Sequence, residues 1–219
     1  MTRAVVALGL AIALFAPAAT YAQQTGLTEG QIKQAELEMP MLVELLELKP
    51  GMAVADVGAG FGAWTTRLSR VVGTNGRVYA NDVGDAQLAW LKGSLDREKL
   101  TNVTVLAGAP RSTNLPAGCC DAILVRDAYH HFTAPEDMVK SLAASLKPGG
   151  RLVLIDFPPR PNTAVPEGVP ANRLGHGVPT QVVIDEMKAA GLTHVRTIAD
   201  WTRQGGTQND LYLVLFRKP

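Results

Sequence analysis

The chain has 219 residues, of which 47% are hydrophobic and 19% charged, and its formal net charge is +1. This composition excludes a disordered or fibrous protein and is typical of one globular domain of the α/β class. A nearly neutral chain offers no basic surface for nucleic acid or anionic lipid, so we expect no nucleic-acid partner.

The first 22 residues have the pattern of a secretory signal peptide. Arg3 precedes an apolar run over residues 4–16, and small residues then lead to Ala22, after which we expect cleavage. The apolar run is shorter than the roughly 20 residues that a membrane-spanning helix needs, so a stable membrane anchor is the less favoured alternative. Residues 23–219 then form the mature domain, outside the cytoplasm and by this prediction in the periplasm.

A helical pattern begins a few residues after the predicted cleavage site. Thr28 and Gln31 stand at capping-box spacing, and apolar residues over the range 32–46, Leu37 among them, are predicted to share one buried face. Pro50 ends the helix, because proline cannot continue it.

Short apolar runs then alternate with helical stretches. The runs predict strands at residues 53–57, 77–81, 103–106, 122–125 and 151–155, and the stretches predict helices at residues 63–72, 85–94 and 134–146. Apolar strands separated by helices indicate a parallel sheet with helices on both faces. After a helix at residues 181–190, strands at 193–198 and 211–216 have no helix between them, which predicts an antiparallel pair. The predicted fold is therefore Rossmann-like and doubly wound, with a seven-stranded, mostly parallel sheet and an antiparallel C-terminal strand.

Cys119 and Cys120 are adjacent. A bridge between neighbours falls well inside the usual Cα separation of a disulfide, so we expect none here. One cysteine is expected to be a small buried residue and the other a partly exposed thiol. Binding of a soft metal or metalloid is less favoured, because the chain has no further cysteine ligands.

A glycine-rich turn follows the first predicted strand, in the sequence DVGAGFG from Asp56 to Gly62. Glycine lets the backbone turn sharply and approach a ligand with no Cβ in the way. The N–H groups at the start of the next helix can then hold a carboxylate. Asp82 ends the next strand about 20 residues further on, where a carboxylate can accept both hydroxyls of a ribose.

Several stretches of the sequence, taken together, resemble the class I S-adenosylmethionine-dependent methyltransferases. They are LKPGM with DVGAGFG, GRVYANDV, CCDAILVRDAYHHF, LKPGGRLVLIDF and GHGVPTQVVIDEMKAAGL. The resemblance covers nearly everything from Gln31 to Pro219, and it is nearest to small-molecule methyltransferases of the ubiquinone-biosynthesis and generic bacterial type, including exported members. It implies an enzyme that transfers the methyl group of S-adenosylmethionine to an oxygen, nitrogen or carbon nucleophile of a small molecule.

The resemblance also implies roles for the glycine-rich turn. Gly58, Gly60 and Gly62 would wrap the methionine end of the cofactor. Asp56 would lie near the amino group of the cofactor, and Asp82 would bind its ribose.

The position after the third predicted strand departs from the family pattern. The family commonly has an acidic residue there, which binds the adenine amino group, whereas this chain has Gly108 and Ala109. We therefore expect Ala109 beside the adenine, with a backbone carbonyl or neighbours of Asn102 in place of the acid.

The acceptor is expected beyond the carboxyl ends of the strands, where ligands of open α/β sheets bind. The residues that should face the methyl group are Asp127, Tyr129, His130 and His131 after the fourth strand and Asp156 after the fifth. A neutral imidazole suits a phenol, carboxylic acid or amine nucleophile. We therefore expect His130 or His131, oriented by Asp127, to act as general base or substrate clamp.

A long proline-rich loop at residues 158–179 is predicted to be a lid. His176 would close the pocket, and Arg160 or Arg173 would pair with an anionic group of the substrate. The alternative is a stiff surface loop with solvated arginines. A metal site built from the histidines and Asp127 is less favoured, and no metal is expected.

Two other functions stay open at this point. The first is an exported, non-catalytic protein that binds a small ligand on the same fold, because S-adenosylmethionine is made in the cytoplasm and Ala109 weakens the adenine site. The second is a NAD-dependent oxidoreductase, because Ala63 completes a GxGxxA pattern. The terminal strand pair, Asp56 and the histidines after the fourth strand favour methyl transfer.

Overall fold

The structure, a computed structural model, describes residues 26–201 and 210–219. The predicted signal peptide, residues 1–22, lies outside the described residues. The helices are α1 Glu29–Leu46, α2 Ala63–Val72, α3 Asp85–Arg97, α4 Pro135–Ser145 and α5 Thr180–Ala189. The strands are β1 Ala53–Val57, β2 Arg77–Asp82, β3 Val103–Ala107, β4 Cys120–Arg126, β5 Leu146–Asp156, β6 Thr193–Ile198 and β7 Tyr212–Arg217. No helix in this part of the chain is both long and apolar enough to cross a membrane.

The seven strands form one sheet in the order β3-β2-β1-β4-β5-β7-β6. Strands β1 to β5 are parallel, and β7 runs antiparallel between β5 and β6. This confirms the predicted fold class. Strand β5 begins five residues earlier than predicted, because Leu146 already pairs with Cys120 across a register shift, and the preceding helix therefore ends at Ser145.

The central strands are mostly apolar because both faces of the sheet are covered. In β4, Ala122 and Leu124 pack on the face that α1 and α2 cover. Ile123 and Val125 pack on the opposite face, under α4 and α5. This alternation gives two apolar layers, and it leaves the ends of the strands as the place where polar groups gather.

Helix α1 has the predicted N-terminus but a different buried face. Thr28 and Gln31 form the expected capping box. Leu37, however, is 41% exposed, whereas the polar side chains of Gln34 and Glu38 are buried. The prediction of an apolar face that includes Leu37 is therefore wrong, because the orientation of the helix is fixed by hydrogen bonds to Glu38.

Glu38 is a buried carboxylate that joins α1 to three other parts of the fold. Its oxygens accept hydrogen bonds from the indole N–H groups of Trp64 on α2 and Trp201, at 2.9 and 3.0 Å. They also accept from Arg126 at the end of β4, at 2.9 and 3.2 Å, and from Gln34 at 2.6 Å. These indole, guanidinium and amide N–H groups together satisfy the buried charge without water.

Cys119 and Cys120 form a disulfide, so the prediction that they would not is wrong. The usual Cα separation describes cysteines on separate segments, whereas the shared peptide bond already holds these two Cα atoms 3.7 Å apart. Cys120 is buried and Cys119 partly exposed, as expected.

The buried ion pair between Glu38 and Arg126 yields a stability prediction. Glu38→Ala leaves the guanidinium buried without its carboxylate, so we expect the free energy of unfolding to fall by about 3–5 kcal/mol in urea denaturation. Glu36→Ala is the matched control on the same helix, because the side chain of Glu36 is 61% exposed in its pair with Arg67. The control should lose no more than about 1 kcal/mol. Equal losses in the two variants would contradict the role of Glu38.

Candidate active site

A cavity of about 830 Å³ opens at the carboxyl ends of the central parallel strands. Its wall includes the segments that follow β1, β2, β3 and β4, together with residues near the start of α1. Its volume lies in the range typical of small-molecule and cofactor sites. Polar groups at strand ends therefore face a space of suitable size for a ligand.

The glycine-rich turn between β1 and α2 forms part of this wall. Gly58, Gly60 and Gly62 all have a positive φ, at +76°, +52° and +87°. A Cβ on Gly58 or Gly62 would lie 2.4 Å from the side chain of Ala128 or Leu91, so close packing requires glycine at both positions. A Cβ on Gly60 would meet no atom within 4 Å. Gly60 therefore presents bare backbone to the open cavity.

Asp82 joins two turns at the edge of the cavity. Its Oδ2 accepts a hydrogen bond from the backbone N–H of Gly60 at 2.8 Å. Its Oδ1 accepts from the N–H groups of Val83 and Gly84, at 2.8 and 3.1 Å. The carboxylate thus fixes the glycine-rich turn against the start of α3 before any ligand binds.

Asp56 is a second carboxylate in the cavity wall, and it is only 3% exposed. Burial raises its pKa to about 6, although the hydroxyl of Thr65, which donates to Oδ2 at 2.6 Å, opposes the shift. The charge of Asp82 adds to the increase. A cationic group beside Asp56 would favour its ionised form, so this site fits an ammonium group.

Three of the four histidines meet above the sheet, as their predicted positions indicate. The ring centroid of His130 lies 4.0 Å from that of His131 and 5.0 Å from that of His176. His131 lines the cavity. Burial and the two neighbouring imidazoles lower the pKa of His131 to about 4, and the pKa of His176 is also lowered, chiefly by burial. His131 and His176 are therefore neutral at pH 7.

The carboxylate that orients His130 is that of Asp156. Nδ1 of His130 lies 2.8 Å from Oδ1 of Asp156, and the backbone N–H of His130 donates to Oδ2 at 3.1 Å. The prediction that Asp127 orients this ring is wrong, because β5 lies beside β4 and its last residue faces the turn that carries His130. Asp127 lines the cavity instead.

The geometry can be compared with known proteins. A family model described as a methyltransferase domain matches residues 54–150. A structure of an S-adenosylmethionine-dependent methyltransferase from Aquifex aeolicus shares 26% identity at a TM-score of 0.63, over 86% of this chain and 98% of that one. Both likenesses support the predicted enzyme, an S-adenosylmethionine-dependent methyltransferase, with S-adenosylmethionine as its cofactor.

Two further comparisons show how much of the chain resembles other proteins. The ubiquinone/menaquinone biosynthesis C-methyltransferase UbiE of Azotobacter vinelandii is 32% identical over 116 residues, which are 52% of this chain and 46% of UbiE. The chain therefore spans about half the length of the curated relatives that it matches. The [4+2]-cyclase SpnF shares the fold at a TM-score of 0.68 with 16% identity, covering 84% of this chain and 80% of its own.

The cavity wall near Ala109 is where the sequence departs from the family pattern. Ala109 lines the cavity and pairs with Ser112 through two backbone hydrogen bonds of 2.8 and 3.2 Å. Asn102 lies at the opposite end of β3, where its amide donates to the carbonyls of Ser69 and Gly73. Neighbours of Asn102 therefore do not replace the missing acid, and backbone groups near Ala109 are the available partners.

Tyr129 and Arg173 do not line the cavity. Both are fully buried. The hydroxyl of Tyr129 donates to Glu186 on α5, and Arg173 donates to both oxygens of Glu186 at 2.9 and 3.0 Å. Their prediction as substrate-binding residues is therefore wrong, because their polar groups already bind each other through Glu186. Arg173 anchors the proline-rich loop to α5.

The sequence patterns did not reveal that α1, α2 and β4 contribute to the cavity wall. Gln34 and Trp64 line the cavity, and so does Arg126. The available signal was the pair of polar residues Gln34 and Glu38, four positions apart on one face of α1. Polar residues at such spacing are also common on a solvated face, so the sequence alone did not distinguish the two.

Gly60 provides a direct test of the cofactor site. Gly60→Ala places a methyl group in the cavity, so we expect the affinity for S-adenosylmethionine to fall at least about tenfold in calorimetry, because the backbone approach is blocked. Gly51→Ala is the control, since Gly51 also has a positive φ and no atom within 4 Å of an added Cβ. Both variants should lose about 1–2 kcal/mol of stability from the left-handed backbone. Equal affinity in the two variants would count against the assigned role of Gly60.

Proposed function

We propose that this protein transfers the methyl group of S-adenosylmethionine to an oxygen, nitrogen or carbon nucleophile of a small molecule. The observation that carries the proposal is the convergence of two sets of groups on one cavity. The glycine-rich turn with Asp56 and Asp82 forms one part of the wall, and Asp127 with His131 forms another.

The cofactor-side residues bind and orient. Asp56 attracts the ammonium group of the methionine moiety, and Gly60 gives that moiety access to the backbone. Asp82 accepts hydrogen bonds from the ribose hydroxyls while it holds the turn. S-adenosylmethionine, when bound, supplies an electrophilic methyl group, and much of the acceleration of an in-line transfer can come from alignment alone.

On the acceptor side, His131 is best suited to a hydrogen bond. It is neutral at pH 7 because its pKa is about 4, so a ring nitrogen is free to accept a hydrogen bond from an O–H or N–H group of the acceptor. A group with so low a pKa retains a proton poorly. This favours the clamp over the general base among the two roles predicted for the histidines.

The similar proteins provide information about the acceptor atom and about the alternative functions. UbiE is named for C-methylation, which supports carbon as one of the possible acceptor atoms. The cyclase SpnF shows that the same fold is compatible with another reaction. Ala109 favours the second candidate, an exported protein that binds a small ligand without catalysis, because the acid that commonly holds adenine is absent.

Calorimetric titration of the purified protein separates these candidates. We expect micromolar binding of S-adenosylmethionine and of its demethylated product, and no comparable binding of NADH. Asp82→Ala should abolish cofactor binding, whereas Asp85→Ala should leave it unchanged, because Asp85 is exposed and does not line the cavity. Failure to bind either cofactor form would reject the methyltransferase and favour the ligand-binding protein.

The raised pKa of Asp56 predicts how cofactor affinity depends on pH. Above about pH 6 the carboxylate is charged and attracts the ammonium group, and below that pH it becomes protonated and neutral. We therefore expect the affinity for S-adenosylmethionine to fall as the pH drops through 6, by up to about tenfold per pH unit. Asp56→Asn should bind weakly and show no such dependence between pH 5 and 7. An unchanged pH profile in Asp56→Asn would contradict the assignment.

We also propose that the protein is exported to the periplasm, with residues 23–219 as the mature domain. The signal-like pattern of residues 1–22 supports this, and so does the disulfide between Cys119 and Cys120, because disulfides persist in oxidising compartments. Fractionation of cells, with mass spectrometry of the isolated protein, should find it in the periplasm with Gln23 at its N-terminus. Recovery of intact chain from the cytoplasm would reject the proposal.

A further inference from the structure

The three neighbouring histidines form a group whose ring nitrogens converge. We define the histidine cluster as His130, His131 and His176. One ring nitrogen from each lies within 4.8 Å of those of the other two. Two segments supply them: the turn after β4 carries His130 and His131, and the proline-rich loop after β5 carries His176. The loop is anchored to α5 through Arg173, so its position does not depend on a histidine at 176.

The ring of His176 has an unsatisfied polar atom. Its Nε2 is shielded from solvent and has no hydrogen-bond partner among the described residues. A buried nitrogen without a partner costs free energy, and in native proteins such an atom usually marks a water, an ion or a functional role. A ring nitrogen of His176 lies within 4.8 Å of ring nitrogens of His130 and His131, so an ion held among the three rings can satisfy it.

The contacts of His130 leave its second nitrogen available in the same place. Nδ1 is engaged by Asp156, whose carboxylate is buried and also accepts the backbone N–H of Phe157 at 2.9 Å. Nε2 of His130 is then the atom left for a ligand. Metal-binding histidines commonly have this arrangement, in which a carboxylate holds the far nitrogen and fixes the orientation of the ring.

We propose that His130, His131 and His176 together bind one divalent transition-metal ion, with zinc as the expected occupant. Three imidazoles are ligands of intermediate softness that suit zinc and its neighbours. Magnesium and calcium are disfavoured, because they prefer oxygen ligands.

The place of the cluster indicates what the ion can reach. Three protein ligands leave one tetrahedral position open, as in catalytic rather than structural zinc sites. His131 lines the cavity, so an ion bound to it lies at the cavity wall. Asp127, which also lines the cavity, has an oxygen within 4.8 Å of ligand atoms of His130 and Asp156. If the proposed methyl transfer holds, the ion occupies the nitrogen of His131 that would otherwise accept a hydrogen bond, and the acceptor is a molecule with an oxygen or nitrogen able to occupy the open position.

Metal titration of the purified, chelator-treated protein tests the proposal. It is run without reductant, so that the disulfide keeps both cysteines from acting as thiolate ligands. With zinc in the calorimeter we expect one ion per chain at micromolar affinity or tighter. With cobalt as a spectroscopic substitute we expect visible absorption bands typical of a four-coordinate site.

The cluster is tested with His131→Ala and His176→Ala, each of which should weaken zinc affinity about a hundredfold or more. The matched control is His194→Ala, which removes the fourth histidine, a partly exposed residue of β6 whose ring contacts Thr197 at 2.9 Å. This control should bind zinc like the unchanged protein. Circular dichroism of metal-free samples verifies that all variants are folded.

Two results would overturn the proposal. One is the absence of stoichiometric binding up to about 100 μM zinc, which would mean that the rings only pack against one another and Phe157. The other is binding that persists in both cluster variants. Titration with S-adenosylmethionine in parallel keeps the two hypotheses separate, because loss of cofactor binding alone rejects the proposed function and leaves the metal site standing.

Discussion

The site depends on one buried charge, that of Glu38. Its carboxylate is the common acceptor for α1, α2, β4 and the segment that precedes β7. Through these bonds it sets the rotation of α1, and residues near the start of α1 form part of the cavity wall. A charge buried at the junction of four segments tolerates little rearrangement, because any segment that withdraws leaves an unpaired polar group behind.

The sheet supplies the second constraint. Because β1, β2 and β4 are parallel neighbours, their carboxyl ends meet at one edge, and Asp56, Asp82 and Asp127 arrive there on separate strands. The three carboxylates differ in environment. Thr65 holds Asp56, and three backbone N–H groups hold Asp82. Similar residues at similar positions therefore suit different purposes: the environment of Asp56 fits a cationic ligand, and Asp82 braces a turn.

The sequence predicted the sheet, and it predicted that the glycine-rich turn and Asp82 would meet at the strand ends, because both features follow from local patterns. Apolar strands, the glycines and Asp82 each have a meaning within one strand-turn-helix unit. The sequence did not predict the acceptor side, since that is decided by contacts between distant segments. Tyr129 and His130 are neighbours, yet one turns to Glu186 on α5 and the other to Asp156 on β5. The residue pattern of a short turn does not predict which distant carboxylate each side chain will bind.

The positions of the tryptophan residues have a practical consequence. The chain has three tryptophans, and all three stand at the cavity or next to it. Trp64 lines the cavity, Trp201 donates to Glu38, and Trp90 packs edge-on against Phe61 of the glycine-rich turn, with ring centroids 5.5 Å apart. Virtually all the indole fluorescence of the protein therefore originates within one or two contacts of the ligand site. Its natural emission is therefore well placed to follow occupancy of the cavity without a label.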